Sequence, residues 1–139
     1  MSGGAGTRLT TWLEVHAYLS ATYGGQAVEQ DGAIAITVSS PRTTTEPATA
    51  FAIEVRPLDG TWLKLTCVIG SLRHLSPAEL LAQNARAVIG AHGTRDGQLA
   101  LRQTLPFAGL LVADLDETVR SMAQLAAATQ KRTRDLAGA

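Results

Sequence analysis

The residues able to do chemistry are few and are spread along the chain. The three histidines, His16, His74 and His92, show no HxxxH or CxxC spacing that would bring two metal ligands together. The lone cysteine, Cys67, shares the predicted core face of its strand with Leu63, Leu65 and Ile69 and is expected to be buried, where the thiolate is disfavoured. The pattern therefore predicts no metal site, no nucleophile and no cofactor.

The densest acidic group consists of Asp114, Asp116 and Glu117, which open a predicted helix. Helix N-termini favour negative side chains through the backbone dipole, so capping accounts for these carboxylates. The chain has no GxSxG or SxxK pattern for a serine nucleophile, and no GxGxxG or GxxxxGK[ST] loop for a phosphate. We therefore predict that the protein is not an enzyme.

Composition narrows the class of protein further. The length of 139 residues suits one domain, which we place at residues 7–137 after a flexible leader at 1–6. Twelve basic and twelve acidic residues cancel, so no summed field attracts nucleic acid or a membrane, and neither is expected as a partner. Only 17% of residues are charged, which a buried oligomer face would explain. A single cysteine and no apolar stretch of ~20 residues favour a cytoplasmic location.

The spacing of apolar residues predicts most of the elements. A first helix over residues 7–23 ends at Gly24 and Gly25, and its predicted apolar face comprises Leu9, Trp12, Leu13, His16 and Leu19. Apolar residues then alternate with other residues over 33–38, 51–56 and 62–69, which predicts three antiparallel strands with a long hairpin loop at 39–49.

A second set of elements follows the meander. Ser76 and Glu79 form a capping box that begins a helix reaching about Ile89. A weak strand at 90–94, a turn at Asp96 and Gly97, a strand at 99–104 and a helix from Asp114 complete the chain. The prediction is an α+β fold in the order α-β-β-β-α-β-β-α, with one antiparallel sheet and the helices mainly on one face.

The other face of the sheet is predicted to be polar, with one exception. Arg56 and Lys64 fall on this open face, and so does the indole of Trp62. An exposed tryptophan indicates either packing at a sheet edge or an anchor for a binding partner, and the sequence leaves both possibilities open. Trp62, Lys64 and Arg56 are our candidate partner-binding residues.

The element order and the segment from residue 80 to 117 resemble the type III secretion chaperone-like superfamily and its YbjN-like relatives. In those proteins a helix with an LLxxN-like stretch leads to a short strand, a DG turn, a strand ending in an LRxxLP-like run, and an acidic-capped helix. The residues that match this pattern are Leu80, Leu81, Asn84, Asp96, Gly97, Leu101, Arg102, Leu105 and Pro106.

The resemblance implies a homodimer that holds an extended segment of a client or effector protein. It implies self-association through the middle helix and neighbouring strands, for which our candidates are Leu81, Asn84, Val88 and His92. The alternative is a regulatory or small-ligand-binding domain, which predicts a closed apolar pocket between sheet and helices. An enzyme would require a histidine within hydrogen-bond reach of a carboxylate in a cleft.

Overall fold

A computed structural model describes residues 6–40, 48–71, 91–95 and 98–137. The elements in chain order are α1 (Trp12–Tyr23), a 3-10 turn (Gly24–Gln26), β1 (Ala27–Gln30), β2 (Ala33–Ser39), β3 (Ala50–Leu58), β4 (Trp62–Ser71), β5 (Ala91–Arg95), β6 (Gln98–Pro106) and α2 (Val112–Ala137). The predicted middle helix, the leader up to residue 5 and the turn at residues 96–97 lie outside the described residues.

The described strands form one antiparallel sheet in the order β1-β2-β3-β4-β6-β5. The α+β class with a single antiparallel sheet is therefore confirmed. Strand β1 was not predicted, because four residues are too few to show an alternating pattern. It pairs only with β2 in the described sheet, through a turn in which Asp31 and Gly32 both have positive φ, as a two-residue hairpin requires.

Helices α1 and α2 pack on the same face of the sheet. The side chains that they cover alternate along the strands, as predicted, and include Ile34, Ile36, Ile53, Val55, Leu63, Leu65, Cys67, Leu99 and Leu101. From the helices, Val15, Leu19, Leu115 and Met122 complete this core. The intervening side chains lie on the other face of the sheet, which we call the open face, although Thr66 and Ala100 on it are buried.

Two predictions about α1 were wrong. The helix begins at Trp12, because residues 7–11 run extended beside residues 110–112, with Leu9 N donating to Leu110 O at 2.8 Å. Thr11 caps it, since its hydroxyl accepts from Glu14 N at 3.2 Å. Leu13, predicted on the apolar face, is 78% exposed, because the helix turns Val15 toward the sheet instead.

A part-buried polar contact joins the two helices. Tyr18 donates its hydroxyl proton to the Asp116 carboxylate, with oxygen–oxygen distances of 2.7 and 2.8 Å. Burial, followed by the hydrogen bond to Asp116, raises the pKa of Tyr18 to about 12. Burial and the Asp116 charge also raise the pKa of Tyr23. This contact fixes the position of α1 against the first turns of α2.

We expect Tyr18→Phe to lower the free energy of unfolding at neutral pH by roughly 1–2 kcal/mol, because a hydrogen bond to a charged group is lost. The folded-state pKa lies above the ordinary value of 10.0, so folding favours the protonated hydroxyl. That stabilisation is complete below about pH 10 and is lost as the pH rises through about 12. Urea unfolding at several pH values should therefore show a shallower alkaline loss of stability in Tyr18→Phe.

Tyr23→Phe is the matched control at neutral pH. The Tyr23 hydroxyl makes no hydrogen bond to any described residue, so this change should alter the free energy of unfolding by less than about 0.5 kcal/mol. Equal stabilities of the two variants and the wild type would contradict the role given to the Tyr18 contact.

Candidate protein-binding surface

The three candidate partner-binding residues lie together on the open face of the sheet. Arg56 on β3 stands directly opposite Lys64 on β4, and Trp62 is two residues from Lys64 on the same strand. Residues directly opposite one another, or two apart on one strand, share a face. The structure therefore brings these side chains together. Whether they bind a partner stays a prediction.

An apolar cluster adjoins the two cations, and we call it the Trp62 patch. It consists of Trp62, its register partner Leu58 on β3, and its other register partner Pro106 on β6. Trp62 is 43% exposed and Leu58 is 42% exposed. Because β4 pairs with strands on both sides, packing at a sheet edge does not explain the exposed indole. Leu58 and Pro106 were not among the predicted site residues, since only strand pairing places them here.

The cations beside the Trp62 patch have unequal partners. The Arg56 guanidinium donates to Asp31 O at 2.8 Å and lies 3.4 Å from a Glu54 carboxylate oxygen on the same strand. The Lys64 ammonium group has no hydrogen bond or ion pair with any residue that the structure describes. Arg56 is therefore held by groups of this chain, whereas Lys64 is available for a partner.

Two further large apolar side chains are exposed. Val28, on the edge strand β1, is 58% exposed and shares the open face through its register partner Ala35. Leu13 lies on α1 and is therefore on the helix-covered side of the molecule. Exposed apolar groups thus occur on both sides, but within the described ranges only the Trp62 patch combines several of them on adjacent strands.

The candidate dimer residues are only partly described. Leu81, Asn84 and Val88 lie outside the described residues. The backbone of His92 lies on β5 opposite Leu101. In the described sheet β5 pairs only with β6, so its other edge has no strand beside it there. The grouping of these four residues at a dimer interface therefore stays a prediction.

Two of the side chains that could act in catalysis, His16 and Cys67, are described by the structure. His16 Nε2 lies 3.4 Å from a Glu29 carboxylate oxygen, but Glu29 is 71% exposed on the edge strand, so the pair lies at the surface and not in a cleft. Cys67 is fully buried, and burial raises the pKa of its thiol to about 12. His74 lies outside the described residues, and the side chain of His92 does too.

The acidic residues at the start of α2 also serve the fold. Asp114 accepts a hydrogen bond from Leu111 N at 3.1 Å, which satisfies the backbone donor before the first helical residue. Glu117 forms an ion pair with Arg120 at 2.8 Å. In the described ranges there is no group of three or more His, Cys, Asp or Glu side chains placed to hold a metal ion.

A groove lies between the end of β6 and the start of α2. It has a volume of about 310 Å³, it is open to solvent, and its lining includes Leu105, Pro106, Leu110, Asp114 and Glu117. The small-ligand alternative predicts an enclosed apolar pocket between the sheet and the helices, whereas this groove is a surface feature.

Among the described residues, no helix is both long and apolar enough to cross a membrane.

The chain is similar in structure to one chain of the solved HopA1–SchA chaperone–effector complex. The alignment covers 81% of this chain and 88% of that one, with a TM-score of 0.60 and 16% sequence identity. The two chains therefore share a fold. No protein-family model matches the chain, and no curated protein matches its sequence. The resemblance predicted from residues 80–117 is confirmed for the fold, and the YbjN-like relationship stays a prediction.

The surroundings of Cys67 generate a direct test. At pH 8 the thiol should react with a soluble disulfide reagent at least about a hundredfold more slowly in the native protein than in urea, because little thiolate forms and the sulfur is inaccessible. Absorbance of the released reagent measures both rates. A Cys67→Ser variant gives the background signal, and rapid reaction of the native thiol would reopen a nucleophilic role.

Proposed function

We propose that the protein is a non-enzymatic, chaperone- or adaptor-like module that holds a segment of a partner protein as a homodimer. The observation that carries the proposal is the Trp62 patch, an exposed apolar cluster on the open face of a sheet. The fold is shared with a chain from a chaperone–effector complex, which supports a protein client for this surface.

The physical case rests on where the Trp62 patch lies. A large aromatic side chain left in water forgoes the stabilisation of burial, and binding anchors are enriched in tryptophan. Trp62 and Leu58 stand on neighbouring strands, so their side chains form one continuous apolar area and not two isolated contacts. A segment of a partner laid on this area would bury both side chains at once.

A binding role also agrees with where the reactive side chains lie. Cys67 lies in the core with a raised pKa, and the His16–Glu29 pair is at the surface. A general acid or base needs a positioned substrate beside it, which a surface pair on an edge strand does not provide. We therefore place the function in recognition, and the cytoplasm is the compartment that we propose for it.

Co-purification from the native host tests the binding role. We expect the wild-type chain to recover a protein partner in stoichiometric amount. Trp62→Ser should reduce the amount of recovered partner by at least about tenfold, because interface tryptophans carry much of the binding energy. Quantitative mass spectrometry measures the recovery.

Leu13→Ser is the matched control, since it also removes an exposed apolar side chain but lies on α1. Its recovery should equal that of the wild type. Loss of the partner from Leu13→Ser with retention by Trp62→Ser would reject the sheet face as the binding surface. Absence of any stoichiometric partner would reject the proposal as a whole.

The homodimer is a separate part of the proposal. Its basis is the resemblance around residues 80–117, which implies self-association through Leu81, Asn84, Val88 and His92. The low charged fraction of the chain supports a second covered surface. The outer edge of β5, which carries His92, has no partner strand in the described sheet and so offers backbone groups for pairing.

We expect Leu81→Asp and Val88→Asp each to convert the dimer to a monomer or to unfold it, because an unpaired charge is costly to bury. Light scattering measures the mass, and circular dichroism separates dissociation from unfolding. Gln124→Asp, at an exposed position of α2, should keep the wild-type mass. Unchanged masses of both Leu81→Asp and Val88→Asp would contradict the assigned interface.

A further inference from the structure

The open face has an ordered arrangement of charged and apolar rows across β3, β4 and β6. One row contains Leu58, Trp62 and Pro106, which is the Trp62 patch. The next row contains Arg56, Lys64 and Thr104. Beyond it, a third row contains Glu54, Thr66 and Arg102. Neighbouring rows are two residues apart along each strand.

Positive charge exceeds negative charge on these rows although the whole chain is neutral. The row next to the Trp62 patch contains two cations, Arg56 and Lys64, and no carboxylate. In the third row the charges of Glu54 and Arg102 offset each other, and Thr66 and the Arg102 Nε atom are buried. Thr37, Ala35 and Val28, which continue the same face onto β2 and β1, add no charge. A basic surface next to the Trp62 patch is therefore a local property of this face.

The pairing of Arg56 with Lys64 is unfavourable for the sheet itself. Like charges directly opposite each other on adjacent strands destabilise the pair. Arg56 is held by Asp31 O and Glu54, whereas Lys64 has no polar partner among the described residues. Local departures from favourable pairing are expected at functional positions. An anion bound over these two side chains would remove the repulsion.

The spacing between the rows specifies the form of the ligand. In an extended chain, side chains two residues apart lie on the same side, about 7 Å from each other. Trp62 and Lys64 have this same separation along β4. A partner segment in extended conformation can therefore place an apolar side chain on the Trp62 patch and a carboxylate over Lys64 and Arg56.

We propose that the open face binds an extended protein segment that is acidic and carries an apolar side chain two residues from a carboxylate. This inference rests on the proposed function and names the chemistry of its partner. Single-stranded nucleic acid is the other polyanion that a basic sheet could bind. It is disfavoured because successive bases need several stacking aromatics, and Trp62 is the one aromatic residue on the described rows.

Fluorescence anisotropy with three labelled twelve-residue peptides tests the proposal. Each peptide contains three copies of a four-residue unit. The first residue of the unit is Glu, Gln or Lys, the third is leucine, and the other two are serine. We expect the Glu peptide to bind the wild-type chain at least about fivefold more tightly than the Gln peptide, and the Lys peptide to bind most weakly. Raising NaCl from about 50 mM to about 500 mM should reduce the preference for Glu, because salt screens exposed charges.

Two charge reversals test the residues. Lys64→Glu should weaken binding of the Glu peptide by roughly fivefold or more and strengthen binding of the Lys peptide. Arg132→Glu makes the same change of net charge at an exposed position of α2 and should leave both affinities as in the wild type. Trp62→Ser should weaken the binding of all three peptides, since it removes the apolar contact that they share.

Several outcomes would overturn the proposal. They are failure of the Glu peptide to bind, equal binding of the Glu and Lys peptides, equal effects of Lys64→Glu and Arg132→Glu, and tighter binding of a twelve-nucleotide oligothymidylate. The proposed function is judged separately by co-purification. A partner that is lost with Trp62→Ser but retained with Lys64→Glu would preserve the binding role and reject the acidic segment.

Discussion

Burial on one side of an antiparallel sheet is the constraint on which the rest of this structure depends. Helices α1 and α2 cover one face, so each strand must place its apolar residues at every second position. A shift of register by one residue would exchange the core with the open face. Tight turns such as Asp31–Gly32 and the bend at Asp59–Gly60, all with positive φ, hold the register in place.

The same constraint produces the proposed binding surface. Alternation that buries Leu63 and Leu65 necessarily puts Trp62 and Lys64 on the other side of β4. The neighbouring strand β3 adds to this surface, because Arg56 lies opposite Lys64 and Leu58 lies opposite Trp62. The core and the proposed recognition face are thus two consequences of one pattern, and a mutation that preserves the core can still change the surface chemistry.

The likeness to a chain of a chaperone–effector complex concerns the backbone, since only 16% of aligned residues are identical. A shared fold does not transfer a binding specificity, which depends on the side chains at the surface. In this chain those side chains give the open face a positive charge beside an apolar cluster. The proposed preference for an acidic partner therefore follows from this chain's own residues and not from its structural neighbour.

The sequence alone determined the long strands, the turns and the exposure of Trp62, because alternation and turn chemistry are local properties. Tertiary structure decided the features that depend on distant contacts. Helical periodicity gives the angle between side chains but not which side meets the sheet, so Leu13 was placed in the core although it is exposed. The short strand β1 exists through pairing with β2, and Pro106 joins Trp62 because β6, and not β5, pairs with β4. The hydrogen bond from Tyr18 to Asp116 spans 98 positions of sequence, a separation at which no local pattern carries information.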